Sequence, residues 1–170
     1  MYMEIYTDGA AKGNGQESAQ AGWGWVAYDS KGKKVAYDYG KVIGEQTNNR
    51  GELTALIEAY KWVGRLRTQG YNEPIYLYSD SAYCVNGVND WMHGWAMNGW
   101  TRSGGKAVVN LELWKTLYDL YHNTIFCGVR KVKGHNGILG NEEADLLAGQ
   151  GVEGENDDAR TTTAIPRTFS

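Results

Sequence analysis

Residues 2–8 of the chain read Tyr-Met-Glu-Ile-Tyr-Thr-Asp, and residues 75–80 read Ile-Tyr-Leu-Tyr-Ser-Asp. Both stretches carry the β-branched and aromatic residues that predict buried strands, and both finish on an aspartate. A carboxylate at the end of a core strand raises the free energy of the folded state unless it is paired or binds a cation. The two stretches therefore predict strands whose ends, Asp8 and Asp80, share a charged site.

Outward from these strands, turn residues and hydrophobic periodicity predict the other elements. A hairpin turn signal lies at 30–33, and apolar residues recur at three- and four-residue steps after Arg50. In chain order, the pattern adds strands near 22–29 and 33–41, a helix over 50–68, a short helix from Ser81, a helix that breaks into a loop over 90–100, a helix from Asn110, a strand over 125–132 and a helix near 142–147. A hairpin meander followed by strands that alternate with helices predicts an α/β fold with a five-stranded mixed sheet and helices on its faces.

Length and composition indicate one folded domain. A chain of 170 residues with 42% hydrophobic residues is long enough for a single core. From Gly151 onward the sequence becomes polar and loses its periodicity, which predicts a domain over residues 1–150 and a flexible tail over 151–170.

Charge and cysteine usage narrow the function classes. Seventeen basic and twenty acidic residues give a net charge of −3, which argues against a protein that holds nucleic acid by bulk electrostatics alone. Cys84 and Cys127 lack metal-ligand spacing and are expected to be buried free thiols. We see neither a signal-peptide pattern nor an apolar run of membrane-spanning length, so we expect a cytoplasmic protein with no membrane partner.

Two further acids stand at the starts of predicted helices. Glu52 follows Thr47-Asn48-Asn49-Arg50-Gly51, and Asp145 follows a glycine-rich loop. Each acid has a structural alternative when it is taken singly: a turn at Asp8, a capping box at Glu52, a helix cap at Asp80 and a favourable helix-dipole position at Asp145.

Taken together, the four acids predict a metal site. Helix starts that carry Glu52 and Asp145 can converge on the sheet edge where Asp8 and Asp80 end. Four carboxylates without cations repel one another, and ligation by oxygen alone favours Mg²⁺ or Mn²⁺ over Zn²⁺. Two such ions about 4 Å apart can activate a water and stabilise the leaving oxygen in phosphodiester cleavage.

The motifs that carry these acids resemble type 1 ribonuclease H over about residues 2–150. The matching segments are Tyr6-Thr7-Asp8-Gly9, Thr47-Asn48-Asn49-Arg50-Gly51-Glu52, Tyr78-Ser79-Asp80-Ser81, Val132-Lys133-Gly134-His135 and Asn141-Glu142-Glu143-Ala144-Asp145. Their order and spacing are far more specific than any one of them. The resemblance implies the ribonuclease H-like fold and a monomeric endoribonuclease that cuts the RNA strand of RNA–DNA hybrids, leaving a 5′-phosphate and a 3′-hydroxyl.

The resemblance also implies roles for the acids and for one histidine. Asp8, Glu52, Asp80 and Asp145 match the family's ligands for two Mg²⁺ ions, for which Mn²⁺ can substitute. Asp8 would bridge the ions, and Glu52 would also lie near the ribose 2′-hydroxyl next to the cut. His135 matches a loop histidine that assists proton transfer or product release, a task for which a near-neutral imidazole is suited.

Contacts with the hybrid follow from the same resemblance. On the RNA side, Gly13 and Asn14 match a segment that approaches the backbone, and Asn48 and Asn49 match minor-groove contacts. Gly-Asn-Gly is also an ordinary turn, and the asparagines could equally cap the helix.

On the DNA side, Thr47 and Asn110 match a phosphate pocket with Arg50 nearby. Trp91 matches an aromatic residue of the DNA-binding channel. For Trp95, packing and contact with a sugar are both open, whereas Trp114 is expected in the core.

One departure from the family concerns the segment over 96–106. Many bacterial members carry a lysine-rich protrusion here, whereas this chain has only Arg102 and Lys106 as basic residues. We therefore expect weaker hybrid binding and a shallower salt dependence than in a lysine-rich member.

Three other hypotheses compete with the hybrid-specific nuclease. A related DNA or junction nuclease disagrees with the Thr-Asn-Asn-Arg-Gly-Glu motif. A non-catalytic hybrid-binding module is expected to lack one of the acids, and all four are present. A cation-binding structural domain leaves Asn48, Asn110 and the tryptophan cluster without a role.

Overall fold

A computed structural model describes residues 1–13, 16–132 and 139–154. The strands are β1 (Met3–Lys12), β2 (Gln20–Asp29), β3 (Lys34–Lys41), β4 (Ile75–Ser79) and β5 (Cys127–Lys131). The helices are α1 (Asn48–Thr68), α2 (Ala82–Asn86), α3 (Met92–Met97), α4 (Leu111–Asn123) and α5 (Leu139–Glu153), with a π-helical turn (Gly87–Trp91) between α2 and α3 and a 3₁₀ turn (Ser103–Gly105) before α4.

The strands form one mixed sheet in the order β3-β2-β1-β4-β5. β1, β2 and β3 make an antiparallel meander, whereas β4 runs parallel to β1 and β5 runs parallel to β4. α1 packs on one face of β1 and β2, and α5 packs on the other face of the meander. The predicted five-stranded mixed sheet with helices on both faces is therefore confirmed.

The core explains why β2 reads as a continuous apolar run. Every residue of β2 after Gln20 is buried, because α1 and α5 cover its two faces. Trp25 and Trp62 lie against each other on the α1 side, and Trp114 is fully buried as expected. Cys84 and Cys127 are buried free thiols, which confirms that expectation.

Three boundaries differ from the sequence-based expectations. Asp8 does not end its strand, because β1 continues to Lys12 opposite β2; only the parallel pairing with β4 stops, at Thr7 and Ser79. α5 begins at Leu139 and continues to Glu153, so it is much longer than the helix predicted near 142–147. Buried Gly151 and Val152, which composition assigned to the tail, belong to α5.

Glycines explain the extra length of α5. An added Cβ at Gly22 would lie 2.3 Å from the backbone nitrogen of Val152, and one at Gly24 would lie 2.6 Å from that of Ala148. Such contacts are tolerated only because these residues have no side chain. Tertiary contact with β2 thus holds residues in α5 whose polar composition suggests a tail.

In the described part of the chain, no helix combines the length and apolar character that crossing a membrane requires.

Candidate active site

Four acidic residues from four elements line one cleft. Asp8 lies on β1, Glu52 in the first turns of α1, Asp80 directly after β4, and Asp145 on α5. The structure thus brings together all four acids that the sequence pointed to.

Close backbone packing explains how Glu52 reaches Asp8. A Cβ on Gly9 would lie 2.3 Å from the backbone nitrogen of Glu52, and one on Gly51 would lie 2.7 Å from the carbonyl oxygen of Gly22. A side chain at either glycine would push the start of α1 away from the sheet. Gly9 and Gly51 therefore let the start of α1 lie so close to the sheet that the neighbouring acids, Asp8 and Glu52, come together in one site.

Three of the carboxylates are within metal-sharing distance. One oxygen each of Asp8, Glu52 and Asp80 lies within 4.8 Å of the others. Asp8 and Glu52 are buried, Asp80 is half-buried and Asp145 is exposed at the rim. The floor of the cleft is therefore buried, and its rim is exposed to solvent.

The electrostatics of this cleft are those of crowded like charges. The pKa of Asp8 is raised to about 7, mainly by burial and also by the charges of Asp80 and Asp145, while a hydrogen bond shared with Glu52 opposes the rise. Burial and the charge of Asp8 also raise the pKa of Glu52 well above its usual range. A cation bound between these groups would offset both the cost of burying their negative charges and the repulsion between them.

The donor set fits a divalent metal such as Mg²⁺. All four side chains offer oxygen, the ligand atom that Mg²⁺ and Mn²⁺ prefer. The buried Oε2 atom of Glu52 has no hydrogen-bond partner among the described residues, although burying such an atom unpaired is costly. Within the cleft, a metal ion is the partner that this oxygen can take.

The structural alternatives for the acids are not the arrangements observed. The N-cap of α1 is Thr47, whose hydroxyl accepts from the backbone N–H of Arg50, so Glu52 is not in a capping box with Asn49. The N-cap of α2 is Ser81 rather than Asp80. Asp145 is the seventh residue of α5, beyond the first turn where the helix dipole acts. Local capping therefore accounts for none of the three.

The residues predicted on the RNA side flank this cleft. Asn48 lines it beside Asp8 and Glu52, and Asn48 and Asn49 are both exposed on the first turn of α1. Gly13 follows β1 with a φ of 64°, a left-handed conformation that favours glycine. Asn14 and His135 lie outside the described residues.

The residues predicted on the DNA side form a hydrogen-bonded cluster at the other side of the α1 N-terminus. Arg50 is buried, and its guanidinium donates to Asn110 Oδ1 at 3.2 Å, to Glu112 Oε1 at 2.5 Å and to the Ile43 carbonyl at 2.9 Å. Asn110 is the N-cap of α4 and is half-buried. Thr47 and Asn110, the two residues expected to bind phosphate, are thus both hydrogen-bonded to Arg50.

Aromatic residues continue this surface. Trp91, with 39% of its surface exposed, lies 6.1 Å from Trp95 and 6.2 Å from Tyr83 between ring centroids. Trp95 also packs edge-on against buried Trp114, so it contributes to the core while it lines the same shallow groove as Trp91 and Arg102. The groove thus presents aromatic side chains beside a basic residue.

Sequence reasoning missed Tyr83 and Glu112. The Tyr83 hydroxyl accepts from Trp114 Nε1 at 3.0 Å and from Asn110 Nδ2 at 3.3 Å. Glu112, although exposed, pairs with Arg50. The one available signal was their position, Tyr83 three residues after Asp80 and Glu112 two after Asn110, which is too common a spacing to single out either residue.

Comparisons with known proteins identify the family. Residues 1–153 match the family described as RNase H. The chain is 41% identical to a ribonuclease H of Nitrosomonas eutropha over 154 residues, covering 89% of this chain and 90% of that protein.

Solved structures share the fold. LC9-RNase H1, described as a type 1 RNase H with the type 2 active-site motif, is 30% identical, with a TM-score of 0.76 over 91% of this chain and 74% of that one. LC11-RNase H1, solved in complex with an RNA/DNA hybrid, is 24% identical with a TM-score of 0.67 over 89% of this chain and 96% of that one. At that identity the second structure shows the fold alone.

Proposed function

The chain belongs to the ribonuclease H family, and on that premise we propose that it hydrolyses the RNA strand of RNA–DNA hybrids with two Mg²⁺ ions, leaving a 5′-phosphate and a 3′-hydroxyl. Family membership makes the protein a metal-dependent nuclease. The observation that carries the finer proposal is the convergence of one oxygen each of Asp8, Glu52 and Asp80 within 4.8 Å, and the unpartnered Oε2 atom of Glu52 supports it.

The four carboxylates would hold the ions. Asp8 is coupled electrostatically to Glu52, Asp80 and Asp145, which supports its assignment as a ligand held in common with the other three acids. When bound, such ions lower the pKa of an attacking water and stabilise charge on the leaving oxygen. Asp8 and Glu52 would hold the ions from the buried floor of the cleft, while exposed Asp145 would complete the site from the rim.

Proton transfer is assigned to His135, as the resemblance implies. A histidine whose pKa is near its ordinary value can both take and return a proton at neutral pH. Glu52 is assigned a second role near the ribose 2′-hydroxyl at the cut, which is compatible with its place between Asp8 and exposed Asn48.

Hybrid selectivity is assigned to the two sides of the α1 N-terminus. The exposed amides of Asn48 and Asn49, with Gly13 and Asn14, would read the RNA strand across the minor groove, where 2′-hydroxyls are displayed. On the opposite side, Thr47, Arg50, Asn110 and Trp91 would form the surface for the DNA strand. Each strand would then meet a different chemistry.

We further propose that the domain acts as a monomer, because one chain supplies all four acids of the cleft, and that it acts in the cytoplasm, where unpaired thiols are expected. The catalytic domain proposed over residues 1–150 is best extended to Glu153, where α5 ends. Residues 155–170, which lie outside the described part of the chain, are proposed to be dispensable for cleavage.

The test is cleavage of a labelled RNA–DNA hybrid with Mg²⁺ beside RNA–RNA and DNA–DNA duplexes. We expect cleavage of the RNA strand in the hybrid alone, with products that a 5′-phosphate-dependent exonuclease degrades. Asp80→Asn should abolish the reaction, whereas Asp119→Asn, which neutralises an exposed carboxylate on α4, should leave it intact. Tight hybrid binding without cleavage in Mg²⁺ or Mn²⁺ would indicate a binding module instead, and cleavage of DNA would indicate a related nuclease.

A further inference from the structure

One buried side chain contacts both of the residues proposed to bind a DNA phosphate. The backbone N–H of Arg50 donates to Thr47 Oγ1 at 3.2 Å, and its guanidinium donates to Asn110 Oδ1 at 3.2 Å. Thr47 and Asn110 are 63 residues apart in the chain, and Arg50 is the residue that connects them.

The contact with Arg50 fixes which way the Asn110 amide points. A guanidinium has only donors, so the amide oxygen must face Arg50 and the NH₂ group must face away from it. One hydrogen of that group lies toward the Tyr83 hydroxyl at 3.3 Å. The second hydrogen remains for an acceptor outside the cluster, and a phosphate oxygen is such an acceptor.

The same reasoning applies to Thr47. Its oxygen accepts from the backbone of Arg50, so its hydroxyl hydrogen is free to be donated outward. Thr47 and Asn110 are both half-buried, which leaves their free hydrogens accessible. The cluster therefore presents two neutral donors whose orientation is set from behind.

Arg50 itself is poorly placed to contact a phosphate. It is 8% exposed, and its guanidinium is occupied by Asn110, by the carbonyl of Ile43 and by Glu112. Glu112 also balances its charge, and the bond from Arg50 in turn lowers the pKa of Glu112. Its Nε atom has no hydrogen-bond partner among the described residues, but that atom is also buried, so Arg50 would have to leave its present partners to reach a phosphate.

The backbone of Asn110 adds a second reason for a support. Asn110 has a φ of 59° and a ψ of 37°, a left-handed conformation that asparagine tolerates but does not prefer. This conformation turns the side chain toward Arg50 and Tyr83 at the start of α4. A residue in a sparsely populated conformation keeps it only when its neighbours hold it there.

We infer that Arg50 is a positioning residue for the DNA strand: it orients the Asn110 amide so that its NH₂ group donates to one phosphate, and it does not contact that phosphate itself. The inference rests on the proposed function and assigns one residue of that site. Arg50 thereby moves from the set of nucleic-acid contacts to the layer behind them.

The experiment measures cleavage of hybrids in which single DNA phosphates are replaced, one position at a time, by uncharged methylphosphonates. With the wild-type protein, we expect the replacement of one particular phosphate to raise KM about tenfold and to leave kcat unchanged. A rise of about tenfold is the effect of one lost hydrogen bond to a charged group. With Arg50→Gln, KM for the unmodified hybrid should rise about tenfold, and replacing that same phosphate should cause no further rise in KM.

Two variants decide between support and direct contact. Arg50→Lys keeps the charge but cannot donate to Asn110, Glu112 and the Ile43 carbonyl at the same time, so we expect it to behave like Arg50→Gln. Full rescue of KM by lysine would overturn the inference. In an Asn110→Ala background, Arg50→Gln should change KM less than about twofold, because the residue it orients is already absent. Additive effects would also overturn it.

A folding defect would not hide the answer. Asn110→Asp keeps an acceptor for Arg50 but replaces the outward NH₂ donor by a carboxylate oxygen, so the fold should survive while KM rises more than in Asn110→Ala. An unchanged KM for this variant would overturn the inference. Failure of the wild-type protein to cut any hybrid would instead overturn the proposed function, so the two failures are distinguishable.

Discussion

Two charged clusters lie on either side of the α1 N-terminus, one around Glu52 and the other around Arg50, two residues earlier in the sequence. Like charges meet in the first cluster, and opposite charges meet in the second. Around Glu52, the charged neighbours that raise the pKa of Asp8 are themselves acids. Around Arg50, the guanidinium pairs with the opposite charge of Glu112 and donates to Asn110 and the Ile43 carbonyl, while its buried Nε atom has no partner among the described residues. The first cluster is unstable without a cation and is suited to bind one, whereas the second is stable by itself and is suited to hold donors still.

The largest effect that separates the clusters is expected from Asp8→Asn. Removing a metal ligand should lower kcat by roughly 10³-fold or more. The same change removes one of the repelling charges, so the Tm of the metal-free protein should rise by roughly 3 °C, as a gain near 1 kcal/mol gives for a chain of this size. Activity assays and thermal melts in a chelator measure both.

A change in the second cluster should do the reverse. Arg50→Met leaves the Ile43 carbonyl and the Asn110 oxygen without their donor, which should lower the free energy of unfolding by about 2 kcal/mol. A Tm that falls in Asp8→Asn, or rises in Arg50→Met, would break the comparison. Asp119→Asn serves as the control for charge removal in general.

The next effect concerns pH. The folded state keeps protons on Asp8 and Glu52 at pH values where the unfolded chain has lost them, because both pKa values are raised on folding. The free energy of unfolding of the metal-free protein should therefore fall as pH rises toward and through about 7, by an amount on the order of 2 kcal/mol.

Urea unfolding at pH 5 and pH 8 in a chelator measures this fall. The difference between wild type and Asp8→Asn isolates the two carboxyls from the other titrating groups. Adding Mg²⁺ at pH 8 should restore stability, because the metal binds the carboxylates only when they are deprotonated. Equal stability of the metal-free protein at both pH values would show that the acids do not repel as their positions imply.

The smallest effect concerns salt. Thr47 and Asn110 are neutral donors and release no counterions, and Arg50 is already balanced by Glu112, so few cations remain for the DNA strand. The slope of log affinity against log salt should be shallow, and replacing both Arg102 and Lys106 by Ala should reduce its magnitude by about 2. A slope equal to that of a lysine-rich relative would mean that other basic residues meet the phosphates.

Sequence patterns predicted the sheet and the four acids because both depend on local chemistry. Apolar patterns predict strands without reference to the rest of the fold, and an acid at a predicted strand end or near a predicted helix start can be recognised in the same way. The end of α5 was not visible in this way. Gly151 and Val152 are helical because β2 offers glycines against which a helix backbone can lie.

The role of Arg50 could likewise not be read from its motif. In the sequence Arg50 stands between Asn49 and Gly51, within the Thr-Asn-Asn-Arg-Gly-Glu motif, and this position suggested a nucleic-acid contact. The tertiary structure buries it against Asn110 and Glu112, which are some 60 residues away. Whether an arginine faces a ligand or supports the residue that does is decided by which long-range partners fill its fork.

The sequence by itself determined which residue types are available: four acids within or next to predicted elements, the apolar patterns that make five strands, and the glycines that permit close approach. Only the tertiary structure decided which of them meet. Like charges converge on one side of α1 and opposite charges on the other, because strand order and the packing of helices on both faces bring distant segments to the same end of α1. Contacts of that range depend on the whole fold, since a charge is costly or stable only in relation to the neighbours that folding supplies.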